Sequence, residues 1–466
     1  MEKNEQILKN APYKKLVMNL CLPTIIIMLV MVVYNMADIY FIGKTGDPYK
    51  IAAISLCGPL FSMLSGMGTL LGSGGCTAIS LALGEKEYKK IKSFTSLCFY
   101  GSIIIGVIFS AVVLFNLRRI GYAIGSDEAT IEYTCSYLQI IAIGAPVILF
   151  TNVFTNLIRA DGAAKESMIA NGLGTIANII LDPILIMGCS MGVAGAAIAT
   201  VIGNILSGIY LIYYVLKKQP AFSLYIQDLR LKREIVLPIV TLGLPLAFST
   251  ILMSCSTILS NKLMITYGAI AVAANGVAGK VGMLISMIAM GICMGMQPAI
   301  SYNYGAGAYE RMRTIIKKTG IATVVVGTIL TLIGFLLKNQ IITAFIDNAE
   351  VIELGKKMVY ASLVIGPFYG LYQLCTTFLQ STGKAGYATF VALLDKGLFF
   401  IPMLFLLNHL AGLNGLIYAG AVTNVFSLLV GAVLCFSWNR KIENEKTSQE
   451  AVERWNQNNV NNVIET

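Results

Sequence analysis

Three aspartates stand inside otherwise apolar runs of this 466-residue chain, at positions 38, 182 and 395. An ionised carboxylate in hydrocarbon is costly, so each is a default candidate for handling an ion or a proton. Asn178 lies one helical turn before Asp182 and shares its face, and Thr200 follows in the next apolar run. Asp38 lies about 4 residues from the outer end of its run, Asp182 about 7 from the end of its own, and Thr200 about 7 into the next. At ~1.5 Å per residue these depths are roughly 6–10 Å, one common layer if the helices adjoin. Two carboxylates, an amide and a hydroxyl make a hard-oxygen cage suited to Na+, while paired carboxylates raise one another's proton affinity and let H+ do the same work. Both ions stay open at this point, as does a hydrogen-bonded network that only fixes helix packing.

Lys280 and Asp395 form a second constellation, roughly 15 and 20 Å deep, within reach of a long lysine. Either a neutralising ion pair or a role in coupling or release fits it; Lys396, next in sequence to Asp395, is expected to face elsewhere. Tyr34, Asn35, Asn152 and Asn156 bring polar groups into the first and fourth runs, where they can line a cavity or join helices. Met63, Met67 and Met287 belong to a set of methionines, with Met283, Met290, Met294 and Met296, able to form a pliable pocket wall or plain packing. Pro23, ahead of Asp38, weakens the first helix and is a candidate hinge.

Other chemistry is missing from the sequence. No Gly-x-x-x-x-Gly-Lys-Ser/Thr motif is present, so a gradient rather than ATP is the expected energy source. The ten cysteines are never closer than 19 residues, which removes zinc-type and redox-type spacings. The one histidine, His409, has no partner at metal spacing.

The elements that must position these residues follow from composition. Hydrophobic residues make up 56% of the chain and charged residues 12%, with apolar runs long enough to cross about 30 Å of hydrocarbon. This excludes disordered, collagenous and disulfide-scaffold classes and predicts an all-α polytopic membrane protein. Twelve helices are expected near 16–42, 52–81, 94–117, 133–158, 167–189, 193–216, 236–265, 270–301, 315–337, 358–380, 386–408 and 412–438. Of the 34 basic residues, 24 then fall on the side of the termini, 7 on the other and three within spans, so both termini are expected to be cytoplasmic and the protein to lie in the cell membrane. Scattered between apolar runs, these basic residues do not form a nucleic-acid surface.

The chain also resembles itself at a displacement of about 221 residues. Ala78-Ile79-Ser80, Gly84 and Tyr88 align with Ala299-Ile300-Ser301, Gly305 and Tyr309, and Pro146 and Gly162 with Pro367 and Gly383. Six spans per half give two lobes of the same orientation, related by a pseudo-two-fold axis along the membrane normal, as in transporters that rock two bundles about a central cavity. The expected organisation is an N-terminal segment 1–15, an N-lobe 16–216, a cytoplasmic linker 217–235, a C-lobe 236–438 and a polar tail 439–466.

In this order, Leu22-Pro23 with Asp38, Leu83-Gly84, Arg159-Ala160-Asp161-Gly162, Asn178 to Asp182-Pro183 and Gly195 to Thr200 resemble the MATE family, the multidrug and toxic compound extrusion transporters, in its MepA-like bacterial branch. The resemblance covers about residues 12 to 440. It implies an antiporter, working as a monomer without cofactor or catalytic residues, that exports amphipathic, mostly cationic drugs or other toxic organic compounds in exchange for Na+ or H+. It further implies a cation site of Asp38, Asn178, Asp182 and Thr200, with the Ala196 carbonyl completing the shell. Some members use carboxylates in the seventh and tenth spans, and this chain has none there. The rival expectation is a flippase for a lipid-linked oligosaccharide or peptidoglycan precursor, disfavoured by the scarcity of cationic residues within the spans.

Overall fold

The computed structural model describes residues 2–43, 47–218, 221–345 and 349–464. A short helix, Glu2–Asn10, leads into a first span over 13–43. The next five spans are Pro48–Gly84, Tyr88–Phe115, Ile131–Ala160, 164–188 and Gly192–Lys218. A connecting segment then leads to Arg233–Met264, Ala269–Gly305 and Tyr309–Phe345, the seventh to ninth spans. The tenth is broken, Ile352–Val364 meeting Gly366–Ser381 at 43°. The last two run from Ala385 onward and part at Gly412, whose φ of 57° and ψ of −135° no helix contains. Twelve spans in two lobes result, and among the described residues there is no strand.

Every span is apolar around most of its circumference because lipid covers the outside, so the informative surfaces are where backbones touch. The lobes meet on the face that carries both chain ends. A Cβ at Gly74 would lie 1.9 Å from the Ile239 carbonyl oxygen, one at Gly84 2.2 Å from that of Tyr302, and one at Gly305 2.4 Å from that of Leu81. Glycine is required there because two helix backbones occupy the space of its missing side chain. The contacts obey the internal repeat: Gly84 and Gly305 are equivalent, and Gly74, set against the seventh span, is equivalent to Gly295, set against Cys21 of the first. Buried side chains stitch the same face. Gln380 donates to Ser73 Oγ at 2.8 Å and also to the Leu242 carbonyl.

Glu2–Asn10 lies across this seam. Asn4 donates to Asp161 Oδ2 of the first lobe at 3.2 Å, and the Tyr302 hydroxyl of the second lobe donates to Glu5 Oε1 at 3.1 Å. Asn303 and Arg311 donate to the carbonyls of Leu8 and Ala11 at 3.1 and 2.7 Å. The segment between the lobes is similarly anchored: Ser96 and Tyr100 donate to the carbonyls of Tyr225 and Leu224. At the other end, the polar tail that begins at residue 439 continues as helix to Ile464. Trp438 and Ile442 seat its base in the protein.

Candidate cation site and the polar cavity of the second lobe

The fifth span ends its α-helical part at Asp182, and Pro183 opens a π-helical turn, Pro183–Gly188. Proline lacks the N–H an α-turn needs, and the ladder widens there. The sixth span crosses alongside with Gly203 so near Gly174 that a Cβ would sit 2.6 Å from the Gly174 carbonyl oxygen. This close crossing joins Asn178, Asp182 and Thr200, at 1%, 0% and 2% exposure. The orientation of the Asn178 amide that satisfies both neighbours donates from its nitrogen to Asp182 Oδ2 at 3.3 Å and accepts the Thr200 backbone N–H at 3.2 Å. In a regular helix that N–H belongs to the carbonyl of Ala196, itself buried at 2%.

The first span packs along the fifth and touches the sixth. The side chains of Asp38, Tyr34 and Asn35 lie outside the described residues. Their helix is placed by a neighbour: Ile42, one turn beyond position 38, packs with Ile186, one turn beyond Asp182, and with Ala196, one turn before Thr200. Three helices are thus in register at this level. Two residues extend the network that sequence reading passed over. Thr151 donates to Asn204 Oδ1 at 2.7 Å, and Asn204 donates to the Thr200 carbonyl at 2.9 Å. Asn204 stands one turn after Thr200, a spacing that could have pointed to it.

Other candidates fall elsewhere. Asn152 and Asn156 sit against Gly68 and Gly72 of the second span, where a Cβ would come within 2.9 and 3.0 Å of their amides. Asn156 is further held by Arg159, which donates to its Oδ1. Met287 joins Met28, Met168, Met290 and Met294 with Ile27 and Leu246 in a cluster drawn from both lobes. Met67 packs instead within the first lobe, and Met63 is exposed. At Pro23 the first span is widened, not interrupted, by the π-helical turn Val17–Cys21.

The second lobe corrects one expectation. Asp395 pairs with Lys396, Nζ to Oδ2 at 2.6 Å, whereas Lys396 was expected to face away. Leu394–Leu398 is a π-turn, which sets consecutive residues at a smaller angular step than an α-helix, and the four-carbon arm of lysine curls across the remainder. The side chain of Lys280, the partner expected instead, lies outside the described residues. Asn424 donates to Asp395 Oδ1 at 3.3 Å, and the group borders a cavity of about 360 Å³. Among the described residues, no cluster of three or more His, Cys, Asp or Glu forms a metal site.

Comparison with known proteins meets this geometry from another side. A family model, MatE, matches residues 23–184 and again 245–406. The second match begins 222 residues after the first, so each lobe is one copy of the unit that the internal repeat outlines. The multidrug export protein MepA of Staphylococcus saprophyticus is 34% identical over 436 residues, 93% of this chain and 94% of that protein. MepA of Staphylococcus aureus is also 34% identical, over 438 residues, with the same coverage. The fold is that of a multidrug resistance MATE family transporter of the MOP superfamily solved in an outward-facing conformation, with a TM-score of 0.89 at 23% identity over 95% of this chain and 99% of that one. The chain belongs to the MATE family of multidrug export transporters, in its MepA-like branch.

Proposed function

We propose that this chain is a cation-coupled antiporter exporting amphipathic, mostly cationic organic compounds in exchange for Na+ or H+, by rocking its two lobes between outward-open and inward-open states. The observation that carries this reading is the wholly buried Asn178–Asp182–Thr200 cluster, with the first span registered against it at Ile42. A carboxylate kept out of water needs a positive partner, and a monovalent ion or a proton supplies one. Sharing of the Thr200 N–H leaves lone-pair density on the Ala196 carbonyl for a bound Na+, with the Thr200 hydroxyl, the Asn178 amide and Asp38 as further oxygens.

Coupling follows from the placement of the cluster between the fifth and sixth spans and the first. An ion that draws these three together does so differently in the two states, and only such a difference can move an equilibrium. With both termini cytoplasmic, as the distribution of basic residues favours, the closed face is cytoplasmic and this state is outward-open. The methionine cluster at Met28, Met168, Met287, Met290 and Met294 then floors the cleft with side chains that adapt to varied apolar cargo. The molecule does this as a monomer, each chain holding both lobes.

The test is drug efflux from liposomes containing the purified protein, with a Na+ gradient and a pH gradient applied separately. One of the two should drive uptake or release of a lipophilic cation. Transport driven by neither would overturn the reading.

A further inference from the structure

We propose that the cavity inside the second lobe is a binding site for small primary ammonium compounds carrying an apolar body, and that the Lys396 ammonium is its tethered occupant. The cavity, about 360 Å³, is lined by the seventh, eighth, tenth, eleventh and twelfth spans and lies apart from the N-lobe cage. Its volume is at the low end for ligand pockets, room for an arylalkyl amine and not for a large polycyclic drug.

Several of the hydroxyls lining it have already given up their protons. The hydroxyls of Thr257, Ser286 and Ser362 give their protons to the carbonyls of Met253, Gly282 and Met358, at 2.8, 2.8 and 3.1 Å, and Ser256 gives its own to the Lys396 carbonyl. Each therefore offers lone pairs. Asn424 spends its amide nitrogen on Asp395, and its carbonyl oxygen, in a residue only 3% exposed, has no donor among the described residues. A buried acceptor without a donor marks a place where something that donates belongs. Asp395 adds the negative charge, and Ile285, Tyr369 and Phe400 supply apolar and aromatic walls.

Lys396 already shows what the site selects. Its ammonium lies against Asp395 and 5.6 Å from the centre of the Tyr369 ring, a carboxylate and a π face serving one cation. The side chain of Asp395 is 3% exposed and that of Lys396 23%, so the lysine is the less confined of the two and has room to move aside when another ammonium takes its place. The incoming group would donate one N–H to Asp395, one to Asn424 Oδ1 and one to a hydroxyl oxygen. A quaternary ammonium has no N–H and cannot satisfy them.

The inference does not depend on the transport reading, and its test separates the two. Full-length protein in lipid nanodiscs is titrated calorimetrically with 2-phenylethylammonium and with its N,N,N-trimethyl derivative. The primary ammonium should bind, and the trimethyl compound at least tenfold more weakly. Asn424→Leu, which keeps Asp395, should weaken the primary ammonium at least tenfold; Lys396→Met should tighten it about tenfold, while Lys396→Arg stays near wild type. Asp182→Asn should leave this binding intact even as ion-driven efflux is lost. Equal binding of the two compounds, or indifference to Asn424→Leu and Lys396→Met in protein of unchanged melting temperature, would overturn the assignment.

Discussion

Gln297 donates from its side-chain nitrogen to Thr77 Oγ1 at 2.7 Å, tying the eighth span to the second across the boundary between lobes. Both residues are buried, at 1% and 0% exposure, and Thr77 in turn donates to the Ser73 carbonyl at 3.1 Å. No water competes for this bond, so its loss falls on the closed arrangement alone. Gln297→Leu should weaken closure by about 1 kcal/mol, roughly a fivefold change in the balance of the two states. Hydrogen–deuterium exchange read over residues 70–84 and 291–305 should speed up by that factor; unchanged exchange would mean that the bond is incidental to closure.

The glycine seam predicts a steric effect with a built-in control. Gly74→Ala places a methyl group 1.9 Å from the Ile239 carbonyl oxygen, and Gly84→Ala places one 2.2 Å from that of Tyr302, both against backbone that cannot turn aside. Gly58→Ala, in the same span, meets nothing within 4 Å. The first two should abolish export while each lobe stays folded, and the third should transport normally. The checks are drug resistance of cells expressing each variant and thermal melting of the purified proteins.

How much of this was legible in the sequence depends on which physical rule governs each residue. Asn178 and Asp182 share a face because α-helical spacing makes positions four apart neighbours, and Thr200 joins them because consecutive spans of equal depth are adjacent. The family resemblance rests on those same residues. Lys396 was misplaced because the α-helical period does not hold through Leu394–Leu398. Asn152 and Asn156 read equally well as cavity lining or helix contacts until Gly68 and Gly72 were seen opposite them. Contacts such as that of Asn4 with Asp161, 157 residues away, leave no periodic trace at all.

That bridge gives a third prediction. Glu2–Asn10 holds Asp161 of one lobe and Tyr302 and Asn303 of the other, bonds that can all form only while the lobes are closed on this face. Removing residues 2–10 should shift the resting balance toward the opposite state and lower export about tenfold, with no change in expression. Exchange should rise at 160–163 and 299–306 together. A rise at only one of these segments would mean that the helix caps one lobe and does not join the two.

Under the proposed cation coupling, Na+ and H+ are told apart by which atoms of the buried cluster transport requires. Asp182→Asn keeps shape and hydrogen-bonding capacity but loses the charge that either ion needs, so export driven by any gradient should fall at least 100-fold. Thr200→Val preserves volume and removes only the hydroxyl oxygen. If Na+ is the coupling ion, that oxygen belongs to the proposed coordination shell and its loss should raise the Na+ concentration for half-maximal efflux about tenfold; if H+ is, the carboxylate alone matters and efflux should change little. Asn204→Leu is the intermediate case, because Asn204 meets the cluster by donating to the Thr200 carbonyl and not through the Thr200 hydroxyl oxygen. It should reproduce a milder form of the Thr200→Val effect under Na+ and none under H+. If Asp182→Asn exports at the wild-type rate under both gradients, the buried cluster is a packing device and the coupling site lies elsewhere in the chain.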